Sequence, residues 1–154
     1  MSIKYYKLKM LHEVADLSVV LSEYFPAPSL AALGIYELLI NAIEHGNLGI
    51  THAEKQQLIF NGGFEDEINA RQAMPENANK HVDVALFSSD EICIITITDQ
   101  GAGFNWKQYI REYVADDDVH GRGIMLARNC GFDSVAYNDA GNSVICASKK
   151  IVQK

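Results

Sequence analysis

Glu37, Asn41 and His45 recur at four-residue intervals, so on a helix they stand one turn apart on a single stripe, with Glu44 beside them. A carboxylate and an amide placed this way suit a hydrated metal ion, which takes oxygen ligands and keeps several waters. The solvent-facing edge of an ordinary core helix would look the same. Asp99-x-Gly101-x-Gly103 sets a carboxylate ahead of two glycines, which permit a tight turn and close approach of the backbone to a ligand. A plain strand-to-helix turn also fits that pattern. Gly121-Arg122-Gly123 leads into Ile124 and a helix N-terminus, where free N–H groups and the helix dipole suit an anion and Arg122 can reach a phosphate. A flexible loop fits it too. Neither GxxxxGK[ST] nor GxGxxG occurs.

The stripe belongs to the stretch from Pro28 to Gly46. Ser29 reads as its N-cap and Gly46 as its end. Around the rest of this helix stand Ala31, Leu33, Ile35, Tyr36, Leu38, Leu39, Ile40, Ala42 and Ile43, while Gly34 leaves a gap upstream. Such a helix is largely buried, and polar groups on it need partners. The stripe is therefore expected to face a polar cavity.

Before it, Ile3 to Leu8 suits a strand, and Leu11, Val14, Leu17, Leu21 and Phe25 keep a helical spacing that Pro26 and Pro28 stop. After it, the run from His52 to Lys80 reads as a helical surface insertion. Thr51 with Glu54 forms a capping box at its start, and Asn61-Gly62-Gly63 breaks it before a second helical pattern from Phe64 to Met74. From His81 the period changes to two. Val82, Val84 and Leu86 alternate with polar or small residues, and Ile92 to Thr98 makes the second arm of a hairpin that runs into Asp99. Short helices are expected from Trp106 to Tyr113 and from Ile124 to Asn129, followed by a closing hairpin of Ser134 to Tyr137 and Ser143 to Ser148. Helices first and hairpin-joined strands later predict one domain, residues 1–154, built as a two-layer α/β sandwich. Its sheet is mixed and mostly antiparallel, covered on one face by helices.

The chain has 154 residues, 48% of them hydrophobic and 21% charged, which suits one soluble globular domain. A net charge of −7 and a pI near 5.1 argue against a nucleic-acid surface. No stretch approaches a membrane span, and the N-terminus lacks the apolar core of a signal peptide. Cys93, Cys130 and Cys146 lack metal-ligand spacing and read as reduced core residues of a cytoplasmic protein.

Taken in order, Glu37-Leu-Leu-Ile-Asn41-Ala42-Ile-Glu-His45-Gly46, Asp99-Gln-Gly101-Ala-Gly103-Phe104 and Gly121-Arg-Gly123-Ile124 resemble the N box and two glycine boxes of the GHKL superfamily. Its members include gyrase, histidine kinases, MutL-type mismatch-repair proteins and bacterial anti-sigma-factor serine kinases. The chain looks most like the last group in its length and in the ExxxNAxxHG form of the box. The resemblance implies a Bergerat-type ATP-binding fold with ATP and Mg2+ as cofactors. Asn41 would ligate the Mg2+ that bridges the phosphates, and Glu37 would be the general base. Asp99 would accept a hydrogen bond from the adenine amino group, with Gly101 and Gly103 letting base and ribose approach the backbone. Residues Gly121, Arg122, Gly123 and Ile124 would form the lid, and Ala42 and His45 would lie near the nucleotide. For His45, a helix-end histidine favoured by the dipole fits as well. Asn142 stands where a threonine often helps hold the adenine.

The activity so implied is that of a serine/threonine-protein kinase that phosphorylates a small antagonist protein and regulates a sigma factor, with a homodimer among the implied assemblies. A non-catalytic ATP-binding switch module is the alternative, and a retained Glu37 favours the enzyme. A histidine-kinase catalytic fragment is disfavoured, because the stretch before Pro28 is too short for a two-helix dimerisation hairpin.

Overall fold

In the computed structural model, residues 1–106 and 130–150 are described. Five strands form one sheet: β1 (Ser2–Leu8), β2 (Val82–Ser88), β3 (Ile92–Thr98), β4 (Ser134–Tyr137) and β5 (Ser143–Lys149), in the order β1-β2-β3-β5-β4. Every pairing among these strands is antiparallel. Over the described residues the expected mostly antiparallel sheet is antiparallel throughout.

Period-two alternation decides which face is buried. Val84 pairs with Ile97 and Ile97 with Val144; Leu86 pairs with Ile95 and Ile95 with Cys146. These rows are buried under the helices, whereas Ile3, Tyr5 and Ile145 of the opposite face remain exposed. The helical layer contains α1 (Val14–Ser22), entered through a 3-10 turn at Leu11–Glu13, and α2 (Pro28–Asn41). Val14 and Leu21 of α1 and Ala31, Ile35, Leu38 and Leu39 of α2 are buried in the same core as the sheet rows. Burying each such Ile or Leu contributes about 2 kcal/mol.

The N-cap of α2 lies two residues before the expected Ser29. Pro28 occupies the first helical turn and Ala27 is the N-cap, with no side-chain cap. The fixed φ of proline is already helical and its missing N–H would have no intrahelical partner there, so the start is set by the ring. Nor does the helix stop at Gly46. Ala42–Asn47 widens into a π turn, closed by a bond from the N–H of Leu48 to the carbonyl of Ile43 at 2.9 Å. Gly49, at φ 63°, then turns the chain.

Two further helices, α3 (His52–Phe60) and α4 (Phe64–Ala73), connect this turn to the sheet. Thr51 caps α3 as expected: its hydroxyl accepts from the N–H of Glu54 at 3.1 Å, and Glu54 accepts from the N–H of Thr51 at 2.8 Å. No residue of α3 is buried, and in α4 only Ile68 is. The buried Glu44 receives the ammonium of Lys55 at 2.5 Å, which ties α3 to the end of the site helix. Arg71 of α4 donates to the carbonyl of Leu48 at 3.2 Å.

Candidate functional site

Strand β3 lies in the middle of the sheet, so its C-terminal end delivers Asp99 beneath the π turn that ends α2. Around this junction is a cavity of about 450 Å3. Leu38, Ala42, Ile50, Ile97 and Val144 make its apolar walls. Its polar groups come from Asn41, His45, Asp99 and Asn142. Gly103, Phe104, Tyr137 and Gly141 line it from the side of the closing hairpin, and Thr51, His52 and Ala53 from the start of α3.

Three segments meet here through glycines. A Cβ at Gly46 would stand 2.6 Å from one carboxylate oxygen of Asp99 and 2.7 Å from the other. At Gly101 a Cβ would overlap the carbonyl of Gly46, and at Gly103 it would overlap that of Ala140. Gly103 also holds φ 79°, a left-handed conformation that favours glycine. The close approach that these glycines permit here is between segments of the protein itself.

Asp99 is anchored on two sides. Its carboxylate accepts from the N–H of Gly101 at 2.8 Å, and its own N–H donates to the carbonyl of Asn142 at 2.9 Å. Burial pushes its carboxyl up to about 6, only partly offset by the Gly101 N–H and by the charge of Lys80. Asn142 donates from its amide to the carbonyl of Asp99 at 3.4 Å and accepts from Asn138 at 2.8 Å. Asn138 in turn accepts from the N–H groups of Gly141, Asn142 and Ser143, which shapes the hairpin turn.

His45 bonds through Nδ1 to the carbonyl of Ile50. A carbonyl only accepts, so Nδ1 carries the proton. Burial lowers the pKa of His45, with the Ile50 bond and Glu44 opposing the shift and Lys55 assisting it. Its ring lies 4.0 Å from that of His52, tilted by 41°. Phe104 meets Tyr137 edge to face at 5.3 Å, and Trp106 stacks on Tyr137 at 6.0 Å while donating to the carbonyl of Asn138 at 2.8 Å.

Of the residues expected from sequence, Asn41, Ala42, His45, Asp99 and Gly103 line the cavity together. Gly101 lies just behind Asp99. Glu37 is half-buried on α2, one turn before Asn41, and is not among the residues lining the cavity. The Gly34 gap is filled by Phe132, whose Cε2 would stand 2.7 Å from a Cβ there, and by Cys130. The stripe therefore divides, with its C-terminal half at the cavity and its N-terminal half against the chain around Cys130. Gly121, Arg122, Gly123 and Ile124 lie outside the described residues, as do the helix expected from Ile124 to Asn129 and, beyond Trp106, the one expected to Tyr113. Sequence reasoning did not single out Thr51, His52, Tyr137 or Gly141 as cavity residues. Only the Gly141-Asn142 turn carried a local signal.

Among the described residues, no cluster of three His, Cys, Asp or Glu side chains could cage a metal. A divalent cation here would be held by the Asn41 carboxamide oxygen together with water and ligand oxygens. That donor set fits Mg2+, which binds to few protein groups and keeps its waters. No helix among the described residues is long and apolar enough to cross a membrane.

No curated protein matches the chain. The family model for the histidine kinase-like ATPase domain matches residues 27–147, a span that runs from the N-cap of α2 through the Asp99 turn into β5. That match and the antiparallel sheet under one layer of helices agree: the chain belongs to the family of histidine kinase-like ATPase domains.

Proposed function

We propose that the protein is a Mg-ATP-dependent serine/threonine-protein kinase of the anti-sigma-factor type. It phosphorylates a small antagonist protein and thereby regulates a sigma factor or similar partner. The observation that carries this reading is the pairing of Asn41 on the cavity wall with Glu37 one turn upstream, on the same helix but outside the cavity. A protein hydroxyl arrives from outside, so a base that serves it belongs at the rim and not on the floor.

In this reading Asp99 accepts from the adenine amino group, and the apolar walls at Leu38, Ala42, Ile97 and Val144 enclose the base. Asn41 would hold Mg2+ together with water and phosphate oxygens, and the ion when bound would supply charge neutralisation to the transferring group. The hydroxyl oxygen of the antagonist protein bonds to the γ-phosphorus as the bond to the β–γ bridging oxygen breaks. Glu37 takes the hydroxyl proton, and ADP leaves with the bridging oxygen.

One observation favours the non-catalytic switch. The described residues lining the cavity include no Lys or Arg, so none of them brings a side-chain cation to the transferring phosphoryl group. Transfer of labelled γ-phosphate to a candidate antagonist protein, run beside an ATP-binding measurement on the same samples, separates the two. Tight Mg-ATP binding with no transfer to any antagonist tested favours the switch.

A further inference from the structure

Asn47, the last residue of the π turn, does not line the cavity, yet it is 5% exposed. Its carboxamide oxygen accepts from the backbone N–H of Gln100 at 2.7 Å, across 53 positions of sequence. An amide nitrogen turned toward that N–H would set donor against donor, so the oxygen assignment follows from the bond itself. Gln100 is the middle residue of the turn whose ends are Asp99 and Gly101. Asp99 holds Gly101 with its own carboxylate at 2.8 Å. The turn is thus closed on itself at its ends and pinned to the site helix at its centre.

Asn47 is itself held from behind. Lys80 donates to its carbonyl at 3.1 Å, and the side-chain oxygen of Gln100 accepts from the N–H of His81 at 2.7 Å. Asn47, Lys80 and Gln100 line a second cavity of about 470 Å3 on the far side of the Gly46–Gly101 contact. Removing the Asn47 side chain leaves the backbone N–H of Gln100 without its partner and loosens the centre of the turn that carries the Asp99 carboxylate.

We propose that Asn47 is a positioning residue that fixes Asp99 for recognition of the 6-amino group of a purine base, so that base discrimination depends on a side chain the nucleotide never touches. The inference rests on the cavity being the ATP site. A hydrogen bond to a carboxylate is directional, so a shift of the turn removes it while contacts to ribose and phosphate survive.

The test compares binding of ATP with binding of purine riboside triphosphate, which lacks the 6-amino group, both with Mg2+ and by calorimetry. Wild type should prefer ATP by roughly tenfold or more. Asn47→Ala should bring that ratio below about threefold while affinity for purine riboside triphosphate changes by less than about twofold. A general structural defect would instead weaken both ligands together. Asn47→Asp keeps an acceptor for the Gln100 N–H and should restore the preference, and it carries the test if the alanine variant does not fold. An Asn47→Ala protein that keeps the wild-type ratio, or an Asn47→Asp protein that folds and loses it, overturns the proposal while leaving the ATP site intact. A wild type that binds neither triphosphate overturns the ATP site as well.

Discussion

The carboxylate of Asp99 lies against the Cα of Gly46, with its two oxygens 2.6 and 2.7 Å from where a methyl group at position 46 would stand. Two motifs far apart in the chain are therefore in direct contact, and the glycine is what lets them meet. Gly46→Ala should leave the protein folded, because a carboxylate at the end of a side chain can swing aside. The swing carries Asp99 away from the base. ATP affinity should fall about 10- to 100-fold, the loss expected for one hydrogen bond to a charged group, with the melting curve little changed. Calorimetric titration beside thermal melts checks both halves.

The ionisation of Asp99 sets a second expectation. Burial raises its carboxyl from the ordinary 3.8 to about 6, so the folded protein holds this proton more tightly than the unfolded chain does. The stability linked to it is complete below about pH 3.8 and is lost as the pH rises through about 6. Asp99→Asn is neutral throughout. It should melt above wild type at pH 8 and show little advantage at pH 4. Affinity of the wild type for ATP should fall as the pH drops through about 6, since the protonated carboxyl is a poorer acceptor. The Asn variant, weak at every pH, controls for titration of the nucleotide phosphates.

Asn41 brings a carboxamide oxygen to the cavity wall. Replacing it by Ala removes one ligand from a cation that keeps several waters, so the fold should hold while Mg-ATP affinity drops. The discriminating readout is the metal dependence. Wild type should bind ATP more tightly with Mg2+ than with a chelator present, and Asn41→Ala should narrow that difference.

Glu37 separates catalysis from binding. Glu37→Gln keeps the shape and cannot take a proton. Phosphate transfer should slow by about 10² or somewhat more, toward the low end for a lost base because a loose phosphoryl-transfer state asks little of it. ATP binding should hold or tighten slightly, one negative charge having gone. Single-turnover transfer with labelled ATP, scored against binding on the same protein, measures this directly.

Lys55 ties α3 to Glu44, a side chain only 3% exposed. Lys55→Met leaves that carboxylate buried without its partner and should destabilise the protein by about 3 kcal/mol. The double variant with Glu44→Gln should recover a large part of the loss, since the unpaired charge is then gone. Urea denaturation of Lys55→Met, Glu44→Gln and the double variant gives the cycle. Because α3 supplies Thr51, His52 and Ala53 to the cavity, the single variant should also weaken ATP binding.

Local pattern alone determined a good deal of this protein. The alternation of Val82, Val84 and Leu86 put the right residues on the buried face, because side chains on a strand take opposite faces in turn. The capping box at Thr51 and Glu54 and the break at Asn61-Gly62-Gly63 were legible because they act within a few residues. Asn41, His45, Asp99 and Gly103, each singled out within a motif of its own spacing, line one cavity together. The tertiary structure decided what depends on separate segments meeting. Periodicity set Glu37 and Asn41 on one stripe, but only Asn41 lines the cavity, and Phe132 and Cys130 return against Gly34 upstream. The π turn at Ala42–Asn47 has no signature in residue type, since it forms where the end of the site helix meets the Asp99 turn. Asn47 looked like any polar residue after a helix. Its 2.7 Å bond to the backbone N–H of Gln100 is one that no local rule connects to it.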